Sequence, residues 1–114
     1  MTENRAKRLL DAYQALRKVL LTLTLSIELP ELRGGGFRAG DSQRAAVHAR
    51  YILRDMPADP YHRDLVDQLI LEWLEALVMT KLHSRHGEAW YGDIADDALT
   101  RFQATLEVIR AEDL

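Results

Sequence analysis

A chain of 114 residues, 47% of them apolar and only three proline, is long enough for one well-buried core and too short for two, so a single helical domain over 1–114 is expected. With no cysteine it has neither a disulfide framework nor a cysteine-based metal site, which points to a reducing, cytoplasmic setting. The net charge of −3 hides a split: residues 1–54 carry ten Lys+Arg against five Asp+Glu, and residues 55–114 carry five against thirteen.

Oppositely charged halves attract, either as helices packed within one chain or across a homodimer. The overall acidity, and basic residues without interleaved aromatics, argue against nucleic acid as a partner. The N-terminal MTENRAKRLLDAY breaks its apolar residues with charge and is not expected as a signal peptide. No segment approaches the roughly eighteen uninterrupted apolar residues that a membrane span requires.

In the first predicted helix, Leu9, Tyr13, Leu16, Leu20, Leu23 and Ile27 advance by alternating steps of four and three, a narrow seam for pairing with another helix. Residues 21–29, LTLTLSIEL, also alternate at the period of a half-buried strand. The seam favours helix to about residue 28. Pro30 then ends regular structure, and a glycine-rich loop follows. From Gly35 to Ser42 it reads GGFRAGDS, but Asp41 occupies the lysine position of a phosphate loop, so a nucleotide site is excluded.

A second helix is expected over about 42–55, capped by Asp41 or Ser42, with Ala45, Ala49 and Ile52 inward and Arg50 and Arg54 on the surface. The third, Pro60 to Gly87, is the most apolar and the element around which the others should pack. Val66, Leu69, Ile70, Trp73, Leu74, Leu77, Val78 and Leu82 form its stripe. Asp59 and Pro60 mark its start; Lys81, His83, Arg85, His86 and Gly87 mark its end. His83 and His86, one turn apart, lack a third ligand of suitable spacing, so no metal site is assigned.

The last helix is expected to open at Asp93 with Asp96 completing a capping box, and to turn Ile94, Ala98, Phe102, Leu106 and Ile109 inward. The fold class is therefore all-α, a small four-helix bundle, expected as a homodimer.

Two family resemblances bear on function. Glu72 and Glu75 on one helix, with Asp93 and Asp96 at the start of another, resemble the carboxylate set of the MazG-type all-α nucleotide pyrophosphatases. That resemblance implies four carboxylates holding magnesium against a triphosphate. The fuller resemblance is to the RbcX Rubisco-assembly chaperones. YQALRKVL, residues 13–20, is similar to their first-helix motif, and Phe37, Ala39, Gly40 and Gln43 fall in register with their loop and second helix.

The RbcX resemblance implies a dimeric, non-enzymatic helical protein without cofactors that holds an extended peptide, the C-terminal segment of the Rubisco large subunit, in a groove across the dimer. Tyr13, Gln14 and Arg17 would belong to that groove; Phe37 and Gln43 would anchor the loop and second helix. Leu10 stands where the family has a tyrosine, and residues 62–68 read HRDLVDQ in place of its Arg-rich stretch. A regulatory or immunity-type bundle binding some other protein is the remaining class. No catalytic residue is assigned.

Overall fold

The computed structural model describes residues 2–23, 25–31 and 39–112 of the chain. Within them lie four helices: α1 (Thr2–Leu21), α2 (Ala39–Arg54), α3 (Pro60–His86) and α4 (Ala89–Glu112). The protein is an all-α four-helix bundle. Among the described residues, α3 packs against each of the other three helices, α1 also meets α4, and α2 rests on α3 alone. Among the described residues no helix is long and apolar enough to cross a membrane.

The central helix has the ends its sequence specifies. Asp59 accepts the His62 N–H at 3.2 Å, Pro60 takes the first helical position, and Gly87 closes the helix at φ 73° with its N–H donating to the His83 carbonyl at 2.8 Å. Val66, Leu69, Ile70, Trp73 and Leu77 are buried, while Leu74, Val78 and Leu82 are half-buried. Trp73 ties this core to α1, since its indole N–H donates to the Leu9 carbonyl at 3.1 Å and its ring lies 5.1 Å from that of Tyr13.

All six seam residues of the first segment are buried, yet α1 stops at Leu21 rather than near residue 28. Leu23 reaches the core from the turn that follows, and Ile27 from a non-helical strap, residues 25–31. The hydroxyls of Thr22 and Ser26 donate to the Val19 and Leu21 carbonyls at 2.7 and 2.8 Å, and the Ile27 N–H donates to the Leu20 carbonyl at 3.0 Å. Side-chain and out-of-register bonds to these last carbonyls replace the helical ladder. The strand alternative fails as well, because the described part of 22–31 contains no strand.

In α2 the inward face is Ser42, Ala46, Ala49 and Leu53, with Met56 just beyond; Ala45 is half-buried and Ile52 is 40% exposed. Ala49 is inward as expected, while Ala46 and Leu53 take the places expected of Ala45 and Ile52. The observed rotation turns small side chains toward α3 for close approach, and brings Arg50 to Asp67 at 2.7 Å. Asp41 lies in the first turn and is not the cap.

The last helix starts at Ala89, four residues before the expected Asp93, because the left-handed turn at Gly87 already reverses the chain. The capping box of Asp93 and Asp96 is therefore not formed. Ala98, Phe102, Leu106 and Ile109 are buried as expected, together with Ala95, Leu99 and Thr105, while Ile94 is half-buried. Attraction between the two halves operates inside the chain through Arg5 and Arg8 on Asp96 and Arg50 on Asp67.

Candidate partner-binding site

Tyr13 and Arg17 both hold a segment of their own chain, and Gln14 joins them through Arg17. The Tyr13 phenol donates to the Pro30 carbonyl at 2.7 Å, and the Arg17 Nε donates to the Leu29 carbonyl at 3.3 Å. Arg17 also donates to the Gln14 Oε1 at 2.9 Å and lies 3.7 Å from the Glu31 carboxylate. With Ile27 and Leu29 buried beneath it, the strap is held along α1 at both backbone and side chain.

Tyr13 is 0% exposed, so its ring is core and not the wall of an open groove. Burial pushes its phenol pKa up, partly offset by the nearby Arg17 charge.

Outside this clasp lies open space. Arg17, Glu28, Leu29, Pro30 and Glu31 line a groove of about 680 Å³. The α1 face that carries Gln14 and Arg17 continues to Leu10 and Leu21, in steps of four, three and four, and those leucines are 37% and 46% exposed. Leu25, on the strap, is 56% exposed. The backbone N–H groups of the exposed Glu28 and Glu31 meet no acceptor among the described residues. Leucines flanking an amide and a guanidinium, beside a chain segment with unpaired donors, can take both the side chains and the backbone of an extended peptide.

The remaining candidate residues do not join this group. Gln43 sits on α2, which does not touch α1, and its Oε1 accepts from the Lys81 Nζ at 2.7 Å. Phe37 and most of the glycine-rich loop lie outside the described residues.

The four carboxylates of the pyrophosphatase resemblance are dispersed. Asp96 is gripped by Arg5 through two bonds of 2.9 and 3.1 Å, and Glu75 pairs with Arg101 at 2.6 Å. Glu72 is buried at 6% exposure and accepts from Gln68, its second oxygen having no partner. Asp93 faces solvent. Among the described residues no three His, Cys, Asp or Glu side chains come together as metal ligands, and that holds for His83 and His86 as well. The Arg5 guanidinium, hydrogen-bonded to it, holds the Asp96 carboxyl below the usual carboxylate range against a smaller rise from partial burial.

Two features of this region were missed from sequence. Arg5, which no sequence motif marks, is 8% exposed, wedged against Gly92 with its Nη1 3.2 Å from the His83 Nδ1. The Leu10 to Leu21 stripe does carry a sequence signal, the four, three and four spacing of Leu10, Gln14, Arg17 and Leu21. No family model, curated protein or solved structure matches this chain.

Proposed function

We propose that this chain is a non-enzymatic peptide-holding protein that receives an extended segment of a partner along the outer face of α1 and the strap. The observation that supports the reading is the strap itself: the YQALR motif already binds a non-helical piece of polypeptide by its backbone carbonyls, and an open groove of about 680 Å³ lies beside it. Leu10 and Leu21 supply apolar contacts, Gln14 supplies an amide, and Glu28 and Glu31 supply backbone donors.

In the specific form that the RbcX resemblance implies, the protein is a cytoplasmic homodimeric chaperone whose client segment is the C-terminus of the large subunit of Rubisco. A regulatory or immunity-type role would use the same surface for a different protein.

The test is binding of a fluorescein-labelled peptide with the C-terminal sequence of the Rubisco large subunit, followed by anisotropy. Leu10→Asp with Leu21→Asp should weaken binding about tenfold or more, since hot-spot losses commonly reach about 1.4 kcal/mol, and should leave the melting curve nearly unchanged because both side chains are exposed. No binding at about 100 µM peptide would remove this client. Binding unaffected by the double change would remove this face.

A further inference from the structure

The outer face of α2 is the other conspicuous surface. Among the described residues the helix rests on α3 alone, and its outer side carries Val47 at 38% and Tyr51 at 59% exposure. These two, with Gln43, Arg44 and His48, line an open groove of about 510 Å³. Arg54 places its guanidinium 5.6 Å from the centre of one face of the Tyr51 ring. Tyrosine and arginine are among the residue types that dominate binding energy at protein interfaces.

The order of these residues selects the occupant. Along the exposed stripe the chain reads Asp41, Arg44, Val47 with His48, Tyr51, Arg54. A second copy laid antiparallel brings Asp41 opposite the other copy's Arg54, Arg44 opposite its Tyr51, and Val47 opposite its His48. The twofold then repeats each pairing in the opposite sense. The result is two interchain ion pairs at the ends, two cation–π contacts inside them and an apolar centre, with no like charges directly opposed.

Asp41 and Arg44 now pair with each other at 2.7 Å, but their side chains are 61% and 80% exposed, so both are free to turn outward. Arg50 does not take part because Asp67 holds it.

We infer that the exposed face of α2 is a self-complementary interface, and that two copies of this chain associate through an antiparallel α2 pair. This surface is separate from the peptide-holding one, since among the described residues α1 and α2 share no packing contact. A single helix pair of 16 residues per copy falls at the small end of protein interfaces, so the association is expected to be weak, on the order of micromolar or above.

Sedimentation equilibrium of the whole chain from about 10 to 500 µM tests this directly, in the range where such an interface should be half-occupied. The wild type should show a monomer–dimer equilibrium. Val47→Glu should weaken it at least about tenfold, and so should Asp41→Arg, which sets like charges opposite each other. Asp41→Arg combined with Arg54→Asp restores opposite charges across the twofold and should recover dimerisation to within about threefold. A monomer throughout, a dimer indifferent to Val47→Glu, or a charge-swapped chain no better than Asp41→Arg alone would each overturn the inference.

Discussion

The Tyr13 hydroxyl and the Pro30 carbonyl lie 2.7 Å apart across 17 residues of chain, and this bond joins the centre of the core to the strap along its surface. Tyr13 is fully buried against Trp73, while Pro30 is exposed. Tyr13→Phe should therefore cost only about 1 kcal/mol, because water can serve the freed carbonyl. Tyr13→Ala should cost about 3 kcal/mol or more, as large-to-small changes in a closed core do. Urea unfolding of both variants measures the two contributions separately, and equal losses would show that the hydrogen bond dominates.

Gly92 and Arg5 should prove energetically coupled. A Cβ on Gly92 would lie 2.7 Å from the Arg5 Nη2, and the Asp96 carboxylate prevents the guanidinium from moving aside freely. Gly92→Ala should thus destabilise by about 1 to 3 kcal/mol despite the better helix propensity of alanine. In an Arg5→Ala background the obstacle is gone, and the same change should stabilise by roughly 0.5 to 1 kcal/mol. A double-mutant cycle by thermal unfolding reads the reversal of sign.

The Arg5–Asp96 pair should also appear in the pH dependence of stability. Its folded-state carboxyl is lowered by the guanidinium, so its contribution is present above the unfolded value of about 3.9 and is lost as pH falls through the lower folded value. The stability difference between wild type and Asp96→Asn should be constant near neutrality and shrink below about pH 4. Solvent exposure of Asp96 keeps the whole effect small.

Glu72 is a carboxylate placed where the fold does not need a charge. One oxygen accepts from Gln68 and the other has no partner, on a side chain that is almost entirely buried. Glu72→Met keeps the volume and removes the unpaired polar oxygen, so it should be neutral or stabilising by about 1 kcal/mol. A loss of more than about 1 kcal/mol in urea unfolding would assign Glu72 a stabilising role that a single bond from Gln68 does not explain.

The architecture was legible wherever the signals were local. Asp59, Pro60 and Gly87 bracket α3 because capping depends on residues within one turn, and the seam from Leu9 to Ile27 is buried at every position. What failed turned on competing local bonds and on contacts across the chain. The seam continued past Leu21 in sequence, but Thr22 and Ser26 turned the backbone out of the helix, and Tyr13 and Arg17 fixed the strap that resulted. Asp93 had the pattern of a cap, yet the reversal was complete at Gly87.

The candidate site followed the same division. Tyr13, Gln14 and Arg17 were legible as a group because they share one stretch of helix. That Tyr13 and Arg17 grip residues 29 to 31 was not, since no periodicity links the two segments. The Arg5 clamp on Asp96 spans 91 residues and leaves no local mark.

The central claim is that the α1 and strap surface receives an extended peptide, and the most direct measurement is amide chemical-shift mapping of the isotope-labelled chain titrated with the C-terminal peptide of the Rubisco large subunit. The expected result is saturable shifts concentrated at Leu10, Gln14, Arg17, Leu21, Glu28 and Glu31, with the Glu28 and Glu31 amides gaining protection from hydrogen exchange as their N–H groups find acceptors. Saturable shifts confined to other helices, with Glu28 and Glu31 unchanged, would contradict the account.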